Sequence, residues 1–505
     1  MPESQTPYDE LCSLTRQIAT LESVSRLVAW DQETYMPAGA AGARARQMAM
    51  LAGIVHERKT APRMGELIQA CEEDPDVTGD PLRTACVREM RRDYELATKL
   101  PGELVAELAR VGSEAQQVWK RARTESDFAL FRPSLETMVA LTRQKAECYG
   151  WGDGEPYDAL INEYEPETTA RQIEAIFTPL RDRLSAFIAE VRDNGTPPDT
   201  SPLDVQIPAD RQHALGLFIL KSIGFDLQCG RLDTTTHPFC EGLAPGDTRL
   251  TTRYHEERFT DALYGTMHEA GHGIYEQGLP KGSHFGTPLG EAISLGIHES
   301  QSRMWENFVG RSRAFWTWAL PHAREYLGSP IEPFSTGQLT AAVNTASPSL
   351  IRVEADEATY NLHIMVRFEI ERALISGDLP PADVPGAWNE RYKSFLGVDV
   401  PDDRRGCLQD VHWAFGLIGY FPTYCLGNLY AAQFWETIRS QIPDLDTQIA
   451  RGRFDALRIW LNENIHAHGR RYRAGELCER VTGKPLGPDP LLRHLESRIR
   501  PAYGL

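Results

Sequence analysis

The chain has 505 residues, more than one hydrophobic core usually serves, with the 41% apolar and 25% charged content of a soluble globular protein. Its formal charge of −18 argues against nucleic acid or an anionic membrane as partner, and the nine scattered cysteines contain no C-x-x-C pair, so neither a thiolate metal site nor a disulfide framework is suggested. The opening MPESQTPYDELCSL lacks a basic n-region and an apolar h-region, and no apolar run nears membrane-spanning length; a cytoplasmic protein without a signal peptide is expected.

From Tyr8, apolar residues Leu11, Leu14, Ile18, Leu21, Val24 and Val28 step by three and four, which predicts an amphipathic helix ending near Pro37. Residues 40–150 are rich in Ala, Leu, Glu and Arg and read as helices broken at Pro62, Pro75–Pro81, Pro101 and Pro133. Thr169 and Gln172 form a capping box for a further helix, and the four prolines in Asn194–Pro208 mark a surface linker. At Gly230 the composition turns Thr-rich. RLDTTTHPFCEG and DTRLTTRYHEE, separated by Leu243-Ala244-Pro245-Gly246, are expected to be two short antiparallel strands. The edge of such a strand is able to accept an extended peptide, although a hairpin that merely caps the core fits the sequence equally well.

The next segment, LYGTMHEAGHGIYEQG, contains His268-Glu269-Ala270-Gly271-His272, an H-E-x-x-H motif. On a helix, residues i and i+4 lie one above the other, so both imidazoles reach one metal ion. Glu269 is rotated by roughly 100° from His268 and suits a general base rather than a ligand. Leu263, Met267, Ala270 and Ile274 form the apolar face; Thr260 or Asp261 is the expected N-cap, and Gly278 before Pro280 the stop. Catalytic zinc needs a third protein ligand, and the metzincin position is Gly278. A second helix is predicted over Gly290–Val309, offering Glu291, Glu299 and Glu306; Glu299 is the preferred third ligand and Glu291 the runner-up. The remaining chain reads as helical, interrupted by DLPPADVP, the charged loop Pro401–Gly406 and the aromatic segment Asp410–Gly419. His466 and His468, two residues apart, face differently and are read as structural.

Several segments together resemble the carboxypeptidase Taq family of zinc metallocarboxypeptidases: HPF (His237–Phe239), DTRLT (Asp247–Thr251), HEAGH, HESQ (His298–Gln301), IRVEAD (Ile351–Asp356) and GCLQDVHW (Gly406–Trp413), with WDQETYMP and IHAHG at either end. The resemblance implies Glu299 as third ligand to one zinc ion per chain; a His/His/Glu set binds several divalent ions, so cobalt or manganese are substitutes. It also implies release of single amino acids from peptides with a free C-terminus, and a homodimer. The implied fold is mainly α, one large helical peptidase domain over 1–505 with a deep substrate groove, similar in outline to neurolysin and angiotensin-converting enzyme. In it, 1–150 would cover the groove, 230–310 would supply the small sheet and ligand helices, and 340–430 would bind substrate.

A carboxypeptidase needs a cation for the substrate's terminal carboxylate, and Arg binds one bidentately. Arg352 in IRVEAD is the candidate and Arg249 the alternative, although Arg352 and Asp356 at i,i+4 would also make a plain helix salt bridge. His412 and Tyr420 are the candidate oxyanion donors, Ile418–Phe421 resembling the tyrosine-bearing segment of angiotensin-converting enzyme; Tyr424 is the alternative to Tyr420. Gln409, Asp410 and His237 are candidates for orienting His412 or contacting substrate. Other readings are an endopeptidase or dipeptidyl carboxypeptidase of the same fold, or a non-catalytic helical binding protein.

Overall fold

The computed structural model describes residues 6–505, and the fold is mainly α, as the composition implies. Two compact units form, each from three stretches of chain. The first comprises the chain up to Thr98, Thr200–Leu339 and Phe434–Lys484; the second comprises Lys99–Asp199, Thr340–Gln433 and Pro485–Leu505. The crossing at Asp199 and Thr200 falls inside the Pro-rich segment expected to be a linker. Among the described residues no helix is long and apolar enough to cross a membrane.

In the first unit, the helix Pro7–Thr34 is capped by the Thr6 hydroxyl, which accepts from Asp9 N at 3.1 Å. Its Leu11, Cys12 and Ile18 pack with Met64, Leu67, Ile68 and Cys71 of the helix Pro62–Glu73 and with Cys86 and Met90 of the helix Pro81–Lys99, forming a satellite core. In the second unit the capping box forms as predicted: Gln172 N donates to Thr169 Oγ1 and Thr169 N to Gln172 Oε1. Pro133 does not break a helix. It lies six residues into Phe128–Tyr149, where the carbonyl left without its N–H partner is that of Ala129, in the helix's first turn.

The predicted pair of antiparallel strands is a three-stranded mixed sheet. RLDTTTHPFCEG divides into β1 (Gly230–Thr234) and the start of β2 (Cys240–Ala244), and β3 is Asp247–Thr252. The order is β1-β3-β2: β2 and β3 form the expected hairpin across Pro245-Gly246, while β1 runs parallel to β3. A Pro-containing connection of five residues takes β1 to β2 on the far side of β3, which the periodicity of the strands alone does not encode. Leu250 of β3, fully buried, packs on the helix that follows, where the absence of a side chain at Gly273 lets it approach.

Candidate active site

The H-E-x-x-H helix spans Phe259–Gly278, starting ahead of the expected cap so that Arg258 occupies the N-cap position. Its Leu263, Met267, Ala270 and Ile274 are all buried, which seats it as the spacing predicts. The second ligand helix begins at Leu295 rather than Gly290, because Ser294 caps it by accepting from Ile297 N at 3.1 Å. It runs as an α-helix to Arg303 and continues as a π-helical stretch, Met304–Gly310. The two helices touch backbone to backbone at Gly271. A Cβ there would run into the Gln301 carbonyl and lie 2.6 Å from Ser302 Cα.

That contact places Glu299 beside the histidine pair. Glu299 Oε2 lies 3.6 Å from His268 Nε2 and 3.5 Å from His272 Nε2, and all three donor atoms fall within 4.8 Å of one another. A small tetrahedral cation at about 2.1 Å from each donor holds its ligand atoms roughly 3.4 Å apart, so two nitrogens and a carboxylate oxygen at this spacing fit such an ion. Of the alternatives, Glu291 pairs instead with Arg470 at 3.1 Å.

Glu306, weighed in the sequence only as a ligand, has a different place: its Oε2 is 2.9 Å from His268 Nδ1. A carboxylate there fixes the proton on Nδ1 and leaves the Nε2 lone pair for a metal. His272 is held through an intermediary that the sequence reading missed. Its Nδ1 is 2.5 Å from His298 Nδ1, and His298 Nε2 is 2.8 Å from Glu276 Oε1, which also pairs with Lys281. With the His298 proton on the Glu276 side, His298 Nδ1 accepts from His272 Nδ1, again freeing Nε2. Burial works against the charge of Glu276, but His298 and Lys281 hold it down to about 2; Arg303 and His268 do the same for Glu306. Arg303 Nε also donates to Glu299 Oε1 at 2.8 Å, and Ser302 Oγ to Glu299 Oε2 at 2.9 Å. A sequence signal existed for Glu276, four residues after His272 on the same helix face. Replacing Glu306 or His298 by Ala should weaken metal binding by about 10–100-fold in a chelator-competition titration; unchanged affinity would show that neither group orients its imidazole.

Glu269 is buried beside this cluster, and its carboxyl is pushed up to about 7 by burial, with His268 opposing and Glu299 adding to the shift.

The other predicted residues divide between the units. Arg249 on β3 pairs with Asp247 at 2.9 Å and lies over the Trp30 ring at 4.3 Å. His237 is exposed in the connection between β1 and β2. His466 is buried against Tyr275 and meets Gln301 at 2.9 Å, in keeping with a structural role.

In the second unit, Arg352, Gln409, His412, Tyr420 and Tyr424 come together. Arg352 is not part of a regular helix and does not pair with Asp356; it opens a single turn, Arg352–Glu354. Asp356 instead caps the helix Thr359–Ser376, accepting from Ala358 N and Thr359 N. The partner of Arg352 is Asp410, whose Oδ1 accepts from Nε and Nη2, while Nη1 donates to Tyr360 at 3.1 Å. Three of the five guanidinium N–H groups are thereby engaged, leaving one on each terminal nitrogen. Asp410 Oδ2 accepts from Arg367 Nε at 2.8 Å. Gln409 accepts from Arg352 N and Arg367 Nη2 and donates to the Leu350 carbonyl, so it secures the Arg352 turn from within. His412 Nε2 is 3.5 Å from the Tyr424 hydroxyl, and its ring lies 5.7 Å from that of Tyr420. Glu371, unremarked in the sequence, anchors this segment at both ends: its buried carboxylate accepts from Trp413 Nε1 at 2.9 Å, Gly419 N at 3.0 Å and Tyr157 at 2.7 Å.

The chain is 47% identical to Thermostable carboxypeptidase 1 of Thermus thermophilus over 99% of both chains, and 36% identical to Carboxypeptidase 1 of Bacillus subtilis, again over 99% of both. Among solved structures it matches the M32 carboxypeptidase from Deinococcus radiodurans R1 with a TM-score of 0.95 at 40% identity, covering 99% of this chain and 100% of that one. The model of the carboxypeptidase Taq (M32) metallopeptidases matches residues 10–499, and the chain belongs to that family.

Proposed function

We propose that the chain is a zinc carboxypeptidase that releases single amino acids, with broad preference, from peptides with a free C-terminus. The observation that carries this reading is the His268, His272 and Glu299 donor set with buried Glu269 beside it, in a chain that matches the M32 family along 10–499. When bound, zinc supplies a Lewis acid for the scissile carbonyl and a more acidic water; cobalt or manganese would suit the same donors. Glu269 takes the proton of the attacking water and returns it to the leaving amine. Tyr420 and His412 donate to the carbonyl oxygen as its charge grows, with Tyr424 the alternative donor. Arg352 holds the terminal carboxylate through the N–H remaining on each terminal nitrogen, with Gln409 keeping it in place; Arg249, already paired to Asp247, is the second choice. A cytoplasmic homodimer acting as one peptidase domain completes the reading.

The test compares an N-blocked peptide with a free C-terminal carboxylate and its C-terminal amide, with and without chelator. Losing a charged hydrogen-bonding partner should slow cleavage on the order of 100-fold, and chelator should stop it. Equal rates for acid and amide would replace this reading with an endopeptidase.

A further inference from the structure

One pocket of the second unit belongs to neither the metal cluster nor the Arg352 cluster. It has a volume of about 370 Å³ and is lined by Trp119, Lys120, Arg123, Thr124 and Arg404. Three of its five lining residues are cations and none is a carboxylate, in a chain whose formal charge is −18. Ion pairing elsewhere does not account for them. Among the described residues none of the three makes a salt bridge, whereas the next residue, Arg405, pairs with Asp402. The neighbouring Asp403 is likewise engaged, accepting from Phe128 N at 3.0 Å.

We propose that this pocket binds a phosphate group, either as free phosphate or as the phosphate of a small phosphorylated molecule such as a nucleotide. Lys120, Arg123 and Thr124 lie on the closing turns of the helix Gly102–Glu125, where cations also suit the helix dipole. That account does not extend to Arg404, which comes from a different segment and converges on the same space, its backbone fixed by Arg404 N donating to Ser126 Oγ at 3.1 Å. The Arg123 guanidinium rests against the Trp119 ring, 5.5 Å from its centroid, and its Nε is buried without a hydrogen-bond acceptor. A monoester close to −2 answers three converging cations better than a carboxylate does, and Arg supplies the directed donors that phosphate takes, while the Thr124 hydroxyl is committed to the Lys120 carbonyl at 2.8 Å. The volume lies within the roughly 300–1,000 Å³ of small-molecule sites, so it accommodates more than a bare ion. Trp119 Nε1 donates to the Leu408 carbonyl at 3.0 Å, which fixes the indole wall against the loop that continues into Gln409 and Asp410.

Isothermal titration of the metal-loaded protein with inorganic phosphate and with adenosine monophosphate, at low ionic strength, tests this. Saturable one-to-one binding is expected for at least one probe, weakening with added sodium chloride. The double variant Lys120→Ala/Arg404→Ala, both exposed positions, should bind at least tenfold more weakly while its melting temperature without ligand and its peptidase activity stay unchanged. Binding of both probes alike identifies free phosphate as sufficient; binding of the nucleotide alone identifies a phosphorylated molecule that also uses the indole wall. No binding of either probe, or equal binding by the double variant, would overturn the proposal.

Discussion

Glu269→Gln should lower kcat by about 10²–10⁴-fold while leaving one metal ion per chain in elemental analysis. The substitution keeps size and hydrogen-bonding shape but removes the carboxylate proposed to accept the proton of water. Glu269 suits that work because burial lifts its carboxyl to about 7, where it takes and gives a proton near neutrality. Neither His268, His272 nor Glu299 depends on Glu269 for a hydrogen bond: His268 is held by Glu306, His272 by His298 and Glu299 by Arg303 and Ser302. Metal retention should therefore separate cleanly from turnover. Activity within a few-fold of the parent would show that another group takes the proton.

Asp410→Ala should destabilise the protein by about 3–5 kcal/mol, read as a lower denaturant midpoint at unchanged m value. Burial opposes the charge of Asp410, yet Arg352 and Arg367 together hold its carboxyl far below the usual range. Removing it strands two guanidinium groups, one of them wholly buried. Asp410→Asn should lie between the variant and the parent, because its amide oxygen still accepts from one arginine. A midpoint unchanged in Asp410→Ala would mean that water or another acceptor already serves both arginines. The same change should raise KM for peptide acids, since Arg352 would lose the group that fixes its orientation.

Much of the metal centre was legible in the sequence because helical spacing alone puts His268 and His272 on one face. Glu299 was preferred over Glu291 from its place on the following helix, with the resemblance in support, and the structure brings Glu299 to the pair through the Gly271 contact. What escaped was everything set by contacts between segments. His298 stands next to Glu299 in sequence, but its link from His272 to Glu276 depends on the crossing of two helices. Glu306 was read on a continuous α-helix, whereas it sits in a π-helical stretch, where side-chain directions differ from those of a 3.6-residue wheel. The alternative pairing of Arg352 with Asp356 failed for a related reason: it presumed a helix that does not extend there. The partner of Arg352 lies 58 residues away, beyond any local rule. The parallel placement of β1 beside β3 is likewise a matter of topology rather than of strand pattern.

The glycine contact between the ligand helices has a consequence for which ions the centre admits. Main chain meets main chain at Gly271, so the separation of the two helices that carry the histidine nitrogens and the Glu299 oxygen is set by that contact. Calcium, which takes six to eight oxygen ligands at about 2.3–2.6 Å, asks for a wider and more oxygen-rich opening than this one. The packing of the two helices thus sets how near the donors stand, and a bulkier residue at position 271 would force the helices apart and move Glu299 away from the histidine pair without replacing a ligand.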